Sequence, residues 1–332
     1  MKAMLSHEPG GPETLKLTKL DTPVPGKKQV LVRVHAAGLN FPDTLIIQDL
    51  YQMKPPRPFA PGGEIAGEVL AVGADVKEFA VGDRVLGLCG FGGFASHVTI
   101  DAAQLIKIPD EMPYDEASCL IFTYGTSHHA LKNRAEIKEG EQLLILGAAG
   151  GVGTAAIELG KAAGARVIAA VSSEEKAQFC RELGADETII YTRDMDSREA
   201  QKAFSAEIRK LAGGDGVDVV YDAVGGPYAE PAVRALAWQG RYLVVGFPAG
   251  IPKIPLNLTL LKGSQIVGVF WGAHTLREPM LHAQNMDDLL RLYVNGAIKP
   301  RICARFKLED AAAALELMMT RKVMGKVVVE IT

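Results

Sequence analysis

Residues 143–160, LLILGAAGGVGTAAIELG, run from an apolar stretch through a glycine-rich turn into an alanine-rich, helix-forming segment. Ala148, Gly150 and Gly153 fall on the three small-residue positions of a G-x-G-x-x-G fingerprint, with alanine at the first and with Gly151 and Val152 inside the turn. Each position has a physical demand: a tight turn, close approach of backbone N–H groups to a pyrophosphate, and close packing of helix on strand. The positive end of the helix dipole then faces the phosphates. Glycine in such a turn also serves packing alone. Here it follows a strand pattern, opens a helix pattern and heads a series of alternating strands and helices, which points to a dinucleotide.

The second strand pattern, ARVIAAV, decides which dinucleotide. An acidic residue about 20 positions beyond the glycines takes the ribose of NAD. This chain instead has Ser172 and Ser173, with Lys176 a turn further on. Hydroxyls and an ammonium without a carboxylate suit the 2′-phosphate of NADPH. A second reading stands beside it: Ser172 and Glu175 fit a capping box, and Lys176 fits a solvated helix face.

The elements around these residues follow from composition and patterning. The chain has 332 residues, 48% hydrophobic and 23% charged, enough for a sizeable core and two domains. A net charge of −3 supplies no basic field for nucleic acid or anionic lipid. The first residues lack a signal-peptide core, and no apolar run reaches the roughly 20 residues that span a bilayer. The expectation is a soluble, cytoplasmic protein that binds neither nucleic acid nor membrane. Cys89, Cys119, Cys180 and Cys303 are scattered singly, as expected of buried, reduced thiols.

QVLVRVHAAGL, GGEIAGEVLAVG and GDRVLGL are β-branched runs broken by glycine, and KPPRPFAPGG excludes helix and central strand. The N-terminal third therefore reads as a β-rich domain. From about residue 123, strand runs QLLILGA, ARVIAAV, ETIIY, VDVVYDAV and RYLVVGF alternate with helix patterns, which predicts a parallel sheet covered on both faces. SQIVGVF reads as a further strand, followed by helices around NMDDLLRLYVNG and EDAAAALELMMTR and a terminal strand KVVVEI.

The glycine turn, LGAD at 183–186, DVVYDAVGG, and the ordered pieces GLNFPDT, PGGEIAGEV and GDRV together resemble the medium-chain dehydrogenase/reductase superfamily, in its zinc-free quinone oxidoreductase branch. The resemblance spans nearly the whole chain. It implies an α/β protein: a GroES-like β-rich catalytic domain at 1–122, a Rossmann doubly wound parallel-sheet domain binding NADPH at 123–266, and a return to the catalytic domain at 267–332, with the active site in the cleft between them. Its zinc-dependent relatives place a metal ligand where this chain has Asn40, and another where Gly63 precedes Glu64. Clustered cysteines of a structural zinc lobe are also absent. His128 and His129, adjacent on a helix, point about 100° apart and form no preformed chelate. A polar helix surface or cleft lining is expected for them.

The reaction implied is zinc-free hydride transfer from reduced nicotinamide to a quinone or enone, with the protein orienting the partners and donating a hydrogen bond to the developing oxyanion. By resemblance, Asn40 and Tyr51 line the acceptor site. The other readings of these two residues are a turn-stabilising asparagine and a tyrosine packed on the proline-rich loop. Leu45 stands where the family often has a second tyrosine. Resemblance also places Thr126, Gly246, Phe247, Val269 and Trp271 beside the nicotinamide, Tyr191 near the adenosine, and Arg321 toward cofactor phosphate; packing, or a solvated helix end for Arg321, is the other reading of each. An enoyl reductase acting on alkenals, enones or acyl thioesters shares the electronics. A non-catalytic NADPH-binding protein is the alternative of another class. By resemblance, SQIVGVF is an edge strand of a kind that in this family pairs across a two-fold axis, which implies a homodimer.

Overall fold

A computed structural model of the chain describes every residue except Arg193 and Thr332. In chain order the strands are β1 (Lys2–Ser6), β2 (Leu15–Lys19), β3 (Gln29–Gly38), β4 (Glu64–Val72), β5 (Arg84–Leu88), β6 (His97–Asp101), β7 (Leu105–Lys107), β8 (Gln142–Leu146), β9 (Arg166–Val171), β10 (Glu187–Ile190), β11 (Val217–Asp222), β12 (Leu236–Val244), β13 (Gln265–Gly268), β14 (Ile302–Lys307) and β15 (Lys326–Glu330). Contacts group the chain into two units, Met1–Phe122 with the segment from Pro300 onward, and Thr123–Lys299.

The first unit is β-rich. Its main sheet runs β14-β15-β3-β4-β5-β7, with β6 also paired to β3, and β1 with β2 forms a separate antiparallel pair. Strand β3 is the hub: Val30, Val32, Val34 and Ala37 are essentially fully buried against Ile65, Val69, Val85, Val327 and Val329. The helix Ala311–Met319 closes this core with Ala311, Ala314 and Leu315. Two further features position the candidate site. Strand β15 pairs antiparallel with the end of β3, Val328 opposite Gly38. Gly38 approaches the backbone so closely that a Cβ there would lie 2.0 Å from the carbonyl oxygen of Ser118.

The second unit is a doubly wound Rossmann sheet, β10-β9-β8-β11-β12-β13, with every pairing parallel. Leu143, Leu144, Ile145 and Leu146 of β8 are fully buried, as are Val167, Ile168, Ala169 and Ala170 of β9. Strands covered on both faces need apolar side chains at every position, which is why the sequence shows continuous apolar runs there instead of alternation. Strand β13 lies at the sheet edge. No helix among the described residues is long and apolar enough to cross a membrane.

Several expectations need correction. Residues 267–299 group with the Rossmann unit instead of returning to the first. The reason is packing: β13 pairs with β12, and in the helix Pro279–Val294 the Asn285 amide donates to Asn133 at 2.7 Å. Of the two placements expected for His128 and His129, an open polar surface is excluded, since they are 5% and 6% exposed, while His128 does line a small pocket with Lys132 and Asp288. The His129 ring stacks on His274 at 3.9 Å, and burial pushes the His128 imidazole down to about 4. Not all the thiols are buried: Cys303 is exposed, because it points outward from the alternating strand β14, and Cys89 is half-buried. Strands β1, β2 and β14 and the short helices Phe41–Ile46 and Tyr114–Ala117 add to the elements read from sequence.

Candidate functional site

The glycine turn joins β8 to the helix Gly151–Ala162. Gly147 turns the chain with φ +72°, and its N–H donates to Ala170 on β9 at 3.1 Å. Ala148 is fully buried. Gly153 is the packing glycine: a Cβ there would sit 2.4 Å from the Gly147 carbonyl oxygen. Gly150, at the helix N-cap, differs, since a Cβ would meet only the Gly147 oxygen at 3.5 Å. The protein thus fills the space beside Gly153 and leaves the space beside Gly150 open, in front of the first N–H groups of a 12-residue helix. Gly151 and Val152 form the first turn of that helix. Ser127 braces it, its hydroxyl donating to the Val152 carbonyl at 2.8 Å and lying 2.8 Å from the Tyr221 hydroxyl.

Ser172 and Ser173 follow directly on β9, so they stand at the carboxyl end of the strand beside the glycine turn. Ser173 caps the helix Glu174–Glu182, its hydroxyl accepting the Lys176 N–H at 3.3 Å. The cap is therefore Ser173 with Lys176, not Ser172 with Glu175, and the Ser172 hydroxyl is outside it. The Tyr191 N–H donates to the Val171 carbonyl at 2.9 Å, which places that residue beside the serines. Its ring packs inward, 4.8 Å from Tyr228 and edge-on to Phe204, and burial pushes its phenol up to about 12.

At the other end of the sheet, Gly246 and Phe247 follow β12 and Val269 follows β13, at the carboxyl ends of their strands. The Val269 N–H donates to Val244 at 3.0 Å, and Gly246 to the Asp222 carbonyl at 3.2 Å. Phe247 is exposed, whereas Trp271 is 4% exposed. The indole of Trp271 lies so close to Gly125 that a Cβ there would come within 2.8 Å of it. Thr126, buried at 8%, is the next residue on that helix. Asp222 ends β11 and holds the neighbouring loop: its carboxylate accepts the N–H groups of Val224 and Gly225 at 2.7 and 2.8 Å and the Tyr242 hydroxyl.

In the first unit, Asn40 caps the helix Phe41–Ile46, which has Pro42 in its opening turn and Asp43 at the third position. The Asn40 N–H donates to the Asp43 carboxylate at 2.7 Å. The side-chain amide of Asn40 donates to Glu64 Oε2 at 2.8 Å, and its oxygen accepts from Lys326 Nζ at 2.7 Å. Asp43 is 4% exposed and burial pushes its carboxyl up to about 6. Tyr51 is half-buried against the β-domain core, and burial together with the nearby Asp43 carboxylate raises its phenol. Asn40 and Tyr51 thus share one neighbourhood through Asp43. Arg321, exposed and with φ +58°, follows the helix Ala311–Met319.

Sequence reasoning did not single out Asp43, Lys326 or Asp222, and treated Glu64 only as a landmark. A carboxylate three residues after Asn40 is a capping-box signal that makes Asp43 findable. Lys326 and Glu64 carry no local signal, being 262 positions apart.

Residues 26–110 match the alcohol dehydrogenase GroES-like domain and residues 151–285 the zinc-binding dehydrogenase domain. The chain is 38% identical to the quinone oxidoreductase-like protein 2 homolog of Nematostella vectensis, over 99% of this chain and 88% of that protein. Among solved structures, mycobacterial Rv1454c complexed with NADPH superposes with a TM-score of 0.90 at 30% identity, covering 99% of this chain and 100% of the other. CurK enoyl reductase superposes at 0.87 with 28% identity, covering 100% and 99%. A GroES-like unit, a dinucleotide-type sheet and relatives matched over almost their full length define the chain as an oxidoreductase of the medium-chain dehydrogenase/reductase superfamily, in its quinone oxidoreductase-like branch.

Proposed function

We propose that the protein is an NADPH-dependent reductase that passes hydride to quinones or related conjugated carbonyl acceptors without zinc. The observation that carries this reading is the glycine turn: packed solid beside Gly153, open beside Gly150, and flanked at the end of β9 by serines in place of a carboxylate. NADPH, when bound, supplies a hydride from C4 of its nicotinamide. The N–H groups at Gly151 and Val152 hold the pyrophosphate; Gly150, whose own N–H donates to the Gly147 carbonyl at 3.1 Å, leaves room for its approach, and Ala148 and Gly153 keep strand and helix close enough to form the turn. Ser172, Ser173 and Lys176 take the 2′-phosphate, with Tyr191 bounding the adenosine. Thr126, Gly246, Phe247, Val269 and Trp271 border the nicotinamide, and Arg321 reaches toward phosphate. Asn40 orients the acceptor, and Tyr51 donates a hydrogen bond to the oxygen that gains charge as hydride arrives.

The chemistry of the donor set argues against a zinc ion at the position its zinc-dependent relatives use. Asn40 offers a neutral amide there, Gly63 offers no side chain, and the neighbouring carboxylate of Glu64 is already paired with the Lys326 ammonium at 3.1 Å. A quinone tolerates that lack, because it delocalises the incoming charge itself. Assembly as a homodimer through the β13 edge is part of the same reading: Ile266 on that strand and Leu260, Leu261 and Phe270 next to it are exposed.

Likeness to an enoyl reductase supports a second reading, in which the acceptor is an alkenal, enone or acyl thioester. A panel of quinones, enones and acyl thioesters, assayed with NADPH on protein of measured metal content, separates the readings. The expected result is NADPH oxidation by quinones with far less than one zinc per chain and no effect of chelation. Preference for thioesters selects the enoyl reading. NADPH bound but oxidised by no acceptor selects the non-catalytic one, and activity lost on chelation and restored by zinc overturns the zinc-free mechanism.

A further inference from the structure

Lys326 and Glu64 form an ion pair with side chains 3% and 0% exposed. The ammonium donates to the Leu39 carbonyl at 2.8 Å, to Asn40 Oδ1 at 2.7 Å and to Glu64 Oε2 at 3.1 Å. An ammonium has three donors, and all three are used. On Glu64, Oε2 also accepts the Asn40 amide at 2.8 Å and Oε1 accepts the Phe122 N–H at 3.0 Å. The two ends of the Asn40 amide therefore face opposite full charges, its oxygen toward a cation and its nitrogen toward an anion. A side-chain amide is nearly symmetric in shape, so only its partners fix which end points where; two charge-assisted hydrogen bonds of opposite sense leave one orientation. The backbone at Asn40 is fixed separately by Asp43.

A buried ion pair is a poor device for stability alone, since an apolar pair of similar volume serves as well. This one joins β15 and β4 to the end of β3 at the single asparagine that begins the helix Phe41–Ile46. We propose that Lys326 is a positioning residue for Asn40, with Glu64 as its counter-charge, so that a cation supplied by the chain's own β15 holds the segment whose counterpart in zinc-dependent relatives is held by a metal. The proposal rests on the reading of Asn40 as the group that orients the acceptor.

The test uses the full chain labelled with ¹⁵N-asparagine, in wild type, Lys326→Arg, Asn40→Ala, and the charge-neutral pair Lys326→Met with Glu64→Gln, which avoids stranding a carboxylate. In wild type the Asn40 side-chain N–H resonances are expected to be well separated and protected from exchange. In the neutral pair, protection falls and kcat/KM for the acceptor drops by roughly 10-fold or more, the size of one lost charge-assisted hydrogen bond. NADPH affinity stays within about 3-fold, and adding Asn40→Ala to the neutral pair lowers kcat/KM no further, as for residues acting as one unit. Lys326→Arg retains most of the protection. Unchanged protection in the neutral pair, or losses that multiply in the combined variant, overturns the proposal. If protection is lost but Asn40→Ala alone turns over normally, the link from Lys326 to Asn40 exists, while the acceptor-orienting reading fails and takes the positioning role with it.

Discussion

Gly153 and Gly147 approach so closely that a Cβ on Gly153 would stand 2.4 Å from the Gly147 carbonyl oxygen, a contact with backbone that has no flexible end to yield. Gly153→Ala is therefore expected to push the helix Gly151–Ala162 off β8 at a cost of about 1–3 kcal/mol, typical of overpacking. Gly150→Ala has open space beside it and should cost less than about 1 kcal/mol, the size of a cap change. Its methyl instead stands where pyrophosphate would lie, so NADPH affinity should fall at least roughly 10-fold, or about 1.4 kcal/mol. Thermal melts and NADPH titrations of the two variants check the contrast. Equal effects on stability, or intact NADPH binding in Gly150→Ala, would contradict it.

Tyr51→Phe removes the hydroxyl and keeps the ring packed on the β-domain core. Loss of a donor to a developing oxyanion of about 1.4–4 kcal/mol lowers kcat by roughly 10- to 1000-fold. NADPH affinity should hold. Turnover at the wild-type rate with a good quinone would leave Tyr51 a packing residue.

His128 gives a pH signature. Its imidazole is held down to about 4 by burial, with Lys132 and His129 adding to the shift and Asp288 opposing it. The folded value lies below the unfolded one, so the unfolded chain binds more protons in that range. The contribution of neutral His128 is complete above about pH 6.5 and is lost as pH falls toward about 4, with a slope of up to ~1.4 kcal/mol per pH unit. Asp43, pushed up to about 6, acts with the opposite sign over most of the same window. Comparing wild type with His128→Gln in urea melts isolates the histidine. The wild type should lose stability faster on acidification; parallel curves would show that His128 does not titrate between the two states.

Much of the Rossmann unit is legible in the sequence because β8, β9 and β11 are covered on both faces and leave unbroken apolar runs. The glycine turn is legible for a related reason, since Gly153 and Ala148 are required by contacts within a few residues of themselves. The first unit is less so. Strand β14 exposes every second residue at a sheet edge and carries Cys303, Arg305 and Lys307, a pattern too weak to call a strand. The burial of the histidines at 128 and 129 is not legible, because His274, which stacks on His129, is far away in sequence. Asn40 is legible through family resemblance, but its partners are not: no local pattern announces that an ammonium from the last strand and a carboxylate from β4 converge on one amide.

The proposed mechanism needs NADPH as the reductant, held by donors at the end of β9. The direct measurement is the affinity of wild type and Lys176→Ala for NADPH and NADH, by titration at two ionic strengths. Wild type should prefer NADPH. Lys176→Ala should weaken NADPH by about 10- to 150-fold, the range of a charge-assisted hydrogen bond of about 1.5–3 kcal/mol, and leave NADH nearly unchanged. Added salt should narrow the preference, since exposed charges are screened over about 8–10 Å. Equal binding of NADH and NADPH by wild type, or equal weakening of both by Lys176→Ala, would contradict the assignment of this end of the sheet to the 2′-phosphate.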